Sequence, residues 1–298
     1  MIKTVALEQA IAQYAAALQS QGYCVIKNAV AAGLIHQLER DLEEDFRETP
    51  FSQGGFYGST TKRFGRLLIR SSLAKSLVQH LTVLGVVEKL LLPWCDRIQL
   101  NTTQAIEIHP GAPAQMPHRD QDMWRGPVGE VEYLVNVMWP ITTFTKENGA
   151  TRVWPSSHGA RALDQDPASK PVAVEMKPGS ALLFLGSALH GAGPNLTDEV
   201  RRGIVIGYSL GWLKPYENQW LAYPPEVAKT FSPELAALVG YRQHRPNLGN
   251  FEGQCPSVLL GSHVRKRLGA IDALRPDQER LIEAYNRERG PDAAAEEL

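Results

Sequence analysis

The sequence predicts a mainly β protein, a sandwich or barrel core flanked by helices, and three observations carry that prediction. Six apolar, β-branched or alternating runs fall between positions 97 and 212: RIQLNTTQAIEIH, EVEYLVNVMWPIT, TRVWP, PVAVEM, SALLFLG and RRGIVIGYSLGW. Separated by Pro, Gly and Asn turns, they suit packed sheets better than the strand and helix alternation of a parallel α/β fold. The first ninety residues instead place apolar side chains at helical spacing. At 298 residues and 43% hydrophobic content, the chain can fill a sizeable core.

Leu7, Ile11, Tyr14 and Leu18 form one helical stripe, and Leu34, Leu38 and Leu42 form a second. Between them GYCVIKNA, at 22–29, reads as a short strand. Ser72 to Leu92 reads as a third helix, ended by Pro93. The preceding QGGFYGSTTKRFGR is rich in Gly and Ser and reads as a loop, of the kind that often borders an active site. Beyond Trp212 the pattern weakens into Pro-rich, mixed-charge sequence, followed by an amphipathic helix around Pro276 to Arg289 and a frayed tail. With no internal repeat and no separating linker, residues 1–298 read as one domain. It has a mostly helical flank (1–96), a β core (97–212) and a C-terminal extension (213–298).

Charge narrows the function. The 31 Lys and Arg against 32 Asp and Glu, with a pI near 6.7, give no basic field for nucleic acid or an anionic membrane. Small-molecule chemistry is the better expectation. Cys24, Cys95 and Cys255 are few, odd in number and widely spaced, so they read as reduced thiols of a cytoplasmic protein rather than a disulfide framework or zinc site. Glu8, Gln9 and Gln13 interrupt the apolar N-terminus, which argues against a signal peptide or membrane span. A homodimer is left open.

The chemistry gathers around PAQMPHRDQDMW. In an extended chain His118 and Asp120 lie on one face, about 6 to 7 Å apart, so both reach a single ion. A His-x-Asp pair alone is weak evidence in a chain with eight His. It gains weight from His190, which follows the apolar strand SALLFLG and opens the glycine-rich turn HGAGPN. Two imidazoles and one carboxylate, with open positions left, make the facial triad of iron(II) oxygenases. Asp122 is a rival ligand if the loop is helical, but Pro117 favours extended geometry and keeps Asp120 ahead. Arg201 and Arg202 open the last strand, and a guanidinium there suits a co-substrate carboxylate. Strand alternation sends only one of them inward.

With these residues in hand, the chain resembles the phytanoyl-CoA dioxygenase family of iron/2-oxoglutarate oxygenases over about Gln21 to Trp212. GYCVIKNAV, HRD, FTKENGATRVWPSSH, KPGSALLFLGSALHGAGPN and RRGIVIGYSL come in the family's order. AQMPHRD is similar to fungal enzymes that oxidise meroterpenoids and indole alkaloids. The resemblance implies a double-stranded β-helix (jelly-roll, cupin-like) core with helices on one side. It implies His118, Asp120 and His190 as iron(II) ligands, with 2-oxoglutarate and O2 as co-substrates. Arg201 would clasp the distal carboxylate, and Gln115 and Thr151 would touch the co-substrate. Some fungal relatives are one residue longer here, which would select Arg202; Arg201 is the expectation. The family usually has glycine at the position of Ser156 in WPSSH, which puts that turn's geometry in question. His158 beside it reads as structural.

Phe56 and Tyr57, Met123 and Trp124, and Trp212 are the candidate pocket residues, and their aromatic character fits a hydrophobic, natural-product-like substrate. The triad leaves the outcome open among hydroxylation, desaturation, rearrangement and endoperoxide formation. Two other readings stand beside the oxygenase: a metal-binding jelly-roll with isomerase or hydrolase chemistry, and a non-catalytic binding protein.

Overall fold

Alternation along four central strands divides the apolar residues into two cores. In the computed structural model, which describes residues 2–126, 129–163, 167, 169–263 and 265–289, the chain enters through helix α1 (Ile2–Gln21), strand β1 (Tyr23–Ile26), helix α2 (Ala32–Glu48) and strand β2 (Thr61–Phe64). Short helices α3 (Leu67–Arg70) and α4 (Ala74–Val78) lead to α5 (Leu81–Leu91). Then come β3 (Ile98–Ile108), β4 (Leu134–Pro140), β5 (Thr151–Val153), the helical turn α6 (Ala160–Leu163), β6 (Val172–Ala173), β7 (Ala181–Leu185), β8 (His190–Ala192) and β9 (Arg201–Leu210). The C-terminal extension carries short helices α7 (Gln219–Ala222), α8 (Pro225–Ala228) and α9 (Pro233–Leu238), then α10 (Pro276–Arg289).

The larger sheet runs β1-β7-β4-β9-β3-β2 and the smaller runs β6-β5-β8, with every pairing antiparallel. This is the jelly-roll arrangement. Val135, Val137 and Trp139 of β4, Leu183 of β7 and Ile204, Ile206 and Tyr208 of β9 face one way. They meet Ile35, Leu38, Leu42 and Phe46 of α2 and Val83, Val86 and Val87 of α5. Met138, Leu182, Phe184, Ile106 and Ile108 face the other way, into the barrel. Each fully buried aliphatic or aromatic side chain contributes roughly 1.5 to 3 kcal/mol, so a one-residue register slip would forfeit both cores together.

The structure corrects the sequence reading in three places. The segment read as a loop ends in β2, an edge strand paired with β3 from Thr61↔Ile108 to Phe64↔Ala105. Its TKRF sequence hides the strand because Lys62 points outward, its ammonium donating to the Phe46 carbonyl. The helix expected over Ser72 to Leu92 is two helices, since His80 turns extended (ψ 118°) and its Nδ1 accepts from the Val83 N–H to cap α5. Strand β8, three residues long, was not anticipated. Among the described residues no helix is long and apolar enough to cross a membrane.

Candidate metal centre

Backbone pairing brings the three expected ligands together. His118 and His190 exchange N–H to O=C bonds of 2.9 and 3.0 Å, extending the smaller sheet past β8. Asp120 then opens a 3-10 turn, Asp120–Met123. The donor atoms of His118, Asp120 and His190 lie within 4.8 Å of one another. His118 Nε2 sits 3.3 Å from Asp120 Oδ1, and His190 Nε2 sits 3.5 Å from Oδ2. Ligands at about 2.1 Å from one metal, at right angles, are about 3 Å apart, so these spacings fit a shared ion.

The tautomers fit as well. His118 Nδ1 lies 2.9 Å from the Met116 carbonyl and His190 Nδ1 lies 3.0 Å from the Ala188 carbonyl. A carbonyl only accepts, so each Nδ1 carries a proton, which leaves Nε2 as the ring nitrogen available to a metal beside Asp120. Burial works to lower the His118 pKa, but the hydrogen bond and charge of Asp120 outweigh it and the value rises. Burial likewise pushes Asp120 up, and the two imidazoles more than offset it, holding the carboxyl far below the ordinary range. Metal binding uses the ionised carboxylate that these surroundings favour, and a metal would compete with the proton that Asp120 favours on His118.

Arg119, between the ligands, points away from the ion and clamps the surrounding backbone. Its guanidinium donates to the carbonyls of Ser187 (3.0 Å), Ser157 (3.0 Å) and Ala162 (3.3 Å). Asp122 is exposed and stands outside the donor cluster.

The ligands open onto a cavity of about 390 Å³ whose lining includes Gln115, Thr151, Phe184 and Arg201. Arg201 is 1% exposed. Its guanidinium stacks 3.7 Å from the Phe144 ring centroid, reaches Thr151 Oγ1 only at 3.5 Å and leaves Nε without a partner. Burial, and then the neighbouring charge of Arg63, push its pKa down to about 9. Arg202, one residue on, faces outward to Glu107 (2.8 Å) and Glu43 (2.6 Å). The side-chain oxygen of Gln115 accepts from the Ala192 N–H at 3.3 Å, beside the histidine strand.

Phe56, Tyr57 and Met123 line the cavity, and the Phe56 ring packs edge-on against His118 at 4.8 Å. Trp124 and Trp212 are not brought there. Both flank Tyr133, at 6.4 and 6.1 Å between centroids, and their indole N–H groups donate to Lys214 and Trp94 carbonyls. Residue type alone could not separate lining from packing. Sequence reasoning also missed Arg63, Gln104, Asn136 and Tyr216, all on the cavity wall. Arg63 donates to Gln104 Oε1 (3.2 Å), lies 5.0 Å from the Tyr57 ring and leaves its Nε unpartnered. Strand β2 was the signal that would have found it: pairing opposite Ile106 turns Arg63 toward the barrel.

Ser156 of the WPSSH turn takes a left-handed φ of 57°, the conformation that glycine adopts most readily. The turn holds its shape through Ser156 N–H to Gln21 O (2.9 Å), and Ser157 Oγ accepts from Leu189 N–H (2.9 Å), next to His190.

Comparison with known proteins gives a consistent picture. Residues 18–203 match the family model described as phytanoyl-CoA dioxygenase. "Dioxygenase trt7" of Aspergillus terreus is 31% identical over 248 residues, covering 77% of this chain and 84% of that protein. "Dioxygenase FrzG" of a Cladobotryum species is 33% identical, over 70% of this chain and 74% of that one. "Multifunctional dioxygenase prhA" of Penicillium brasilianum is 28% identical, covering 76% and 81%. Among solved structures, the α-ketoglutarate-dependent epimerase SnoN of nogalamycin biosynthesis, held with Fe3+ and α-ketoglutarate, aligns with a TM-score of 0.57 at 18% identity. That alignment covers 68% of this chain and 85% of SnoN, and such a likeness establishes the shared fold.

Proposed function

The chain belongs to the phytanoyl-CoA dioxygenase family, whose members depend on iron(II) and 2-oxoglutarate, and we propose that His118, Asp120 and His190 hold the iron while Arg201, Thr151 and Gln115 receive the keto acid. The observation that carries this reading is Arg201, a buried guanidinium in the same cavity as the ligand cluster, stacked on Phe144 and in no ion pair among the described residues. A buried unpaired charge is costly, and a dicarboxylate removes that cost through charge-assisted hydrogen bonds. Arg63, another cation on the cavity wall, suits the carboxylate nearer the metal.

Bound there, iron(II) supplies the oxidising chemistry with O2, and 2-oxoglutarate leaves as succinate and CO2. The chain's own residues do the rest. Met116 and Ala188 carbonyls orient the imidazoles, and Arg201 and Thr151 anchor the co-substrate at the apolar end formed by Ile106, Ile108 and Phe184. Phe56, Tyr57, Met123 and Leu134 shape the space beside the ligands for a largely apolar organic substrate, and Asn101, Thr102 and Tyr216 can meet its polar groups. Holding one C–H bond in place while shedding water is what such walls contribute.

Anaerobic titration tests the reading. Iron(II) and 2-oxoglutarate together should produce a weak visible charge-transfer band that neither gives alone, and O2 should then yield succinate. Absence of the band at saturating iron overturns the assignment, and iron binding without succinate formation would point to non-redox chemistry. A mass-shift screen against candidate natural products separates outcomes: one oxygen gained for hydroxylation, two hydrogens lost for desaturation, two oxygens gained for endoperoxide formation.

A further inference from the structure

We propose that Asn136 is a positioning residue that makes Asp120 a one-oxygen ligand, an inference that rests on the iron site assigned above. Asn136 is buried in the middle of β4, between Phe184 of β7 and Gly207 of β9 in the ladder. Its Nδ2 donates to Asp120 Oδ2 at 2.8 Å. The amide orientation follows from chemistry, since an ionised carboxylate only accepts and the Asn must present its nitrogen. Gly207 makes the posture possible: a Cβ there would stand 3.2 Å from Asn136 Oδ1, tighter than ordinary contact.

The consequence lies in the count of open positions. With iron held there, two imidazoles and one carboxylate oxygen would leave open positions for the co-substrates. A carboxylate binding through both oxygens would take one of them. The distances from the imidazole nitrogens, 3.3 Å to Oδ1 and 3.5 Å to Oδ2, scarcely distinguish the two oxygens. The amide does, because it engages Oδ2 and leaves Oδ1 for the metal. Asp120 lies in a turn, where its carboxylate can rotate, whereas Asn136 sits in the central sheet; a rigid element fixes a mobile ligand.

Asn136→Leu keeps the branched heavy-atom shape and removes the donor. Anaerobic iron(II) titration should show the dissociation constant rising by about 10- to 100-fold. Nitric oxide added to the iron and 2-oxoglutarate complex as an O2 stand-in should give an altered or diminished electron paramagnetic resonance signal. A residue that served only packing would lower the denaturation midpoint of the metal-free protein and leave both readouts unmoved. If Asn136→Leu does not fold, Asn136→Val, apolar and β-branched like Val135 and Val137 beside it, is read by the same criteria. An iron dissociation constant within threefold of wild type, with an unchanged nitric oxide signal, in a folded variant overturns the proposal. Failure of the wild-type protein to bind iron would instead sink the site assignment beneath it.

Discussion

Arg201 and Arg202 are chain neighbours, yet they belong to opposite halves of the molecule. On the helix-facing side of the sheet, Arg202 donates to Glu107, which is 3% exposed, and to Glu43 and Glu39 of α2, while Lys62 and His109 complete the surroundings of Glu107. Each carboxylate of this cluster has a basic side chain within 4.0 Å. On the barrel side, Arg201 and Arg63 form no ion pair within 4.0 Å among the described residues, although the Asp120 charge reaches Arg63, and Asp120 faces two imidazoles. One face of the sheet pairs its charges within the chain, and the other leaves two guanidiniums in no ion pair among the described residues, as the proposed co-substrate would need.

The sharpest way to break this comparison is to remove each arginine in turn. Arg201→Leu should raise the 2-oxoglutarate concentration for half activity at least tenfold, since loss of a desolvated charge pair costs roughly 2 to 5 kcal/mol. The metal-free variant should be no less stable than wild type, because an unpaired buried charge is lost with nothing orphaned. Arg202→Leu should leave 2-oxoglutarate saturation within about twofold. A large saturation effect confined to Arg202 would reverse the two faces.

Stability should show the opposite ranking. Arg202→Leu takes the guanidinium from Glu107 Oε2 and leaves that carboxylate to His109 and Lys62, a partial break of a buried pair that should cost up to about 3 kcal/mol, read as a drop in urea midpoint with unchanged slope. Lys62, 3.9 Å from Glu107, softens the loss. An unchanged midpoint would mean that the outer cluster is ornamental.

Acid sharpens the same point with a smaller effect. The Arg202 hydrogen bond holds the Glu43 carboxyl below its ordinary 4.5. A depressed acid contributes stability above its unfolded value and loses it as pH falls through the folded one. The stability gap between wild type and Arg202→Leu should therefore narrow below pH 4.5, in denaturation series at fixed ionic strength. A gap that widens instead would contradict the assigned pair.

The smallest effect belongs to the turn between β5 and α6, outside both charge systems. Ser156→Gly relieves a left-handed residue whose φ is 57°, a conformation that costs a non-glycine residue about 1 to 2 kcal/mol. Thermal denaturation should show a gain of about 1 kcal/mol, reduced by the lost hydroxyl contact to Ser20 O at 3.3 Å. Iron affinity should not move, which would separate the turn from the metal site.

Much of this was present in the chain's order. The period-two pattern of β4, β7 and β9 assigned side chains to faces, and the spacing of His118 and Asp120 placed two donors on one side, because both depend on bond geometry between near neighbours. The same rule required Arg201 and Arg202 to part company. It could not say which would meet the cavity, since that depends on what lies across the sheet: α2 with its glutamates on one side, Phe144 and Thr151 on the other. Strand β8 and edge strand β2 were too short or too polar to declare themselves, so Arg63 was overlooked and the backbone pairing of His118 with His190 was not foreseen. Trp124 and Trp212, apolar and suitably placed in the sequence, went to Tyr133 because that ring occupies the outer face between them. Asn136 carried no local signal at all: its meaning comes from an amide meeting a carboxylate sixteen residues away, across a ladder that only the folded sheet assembles.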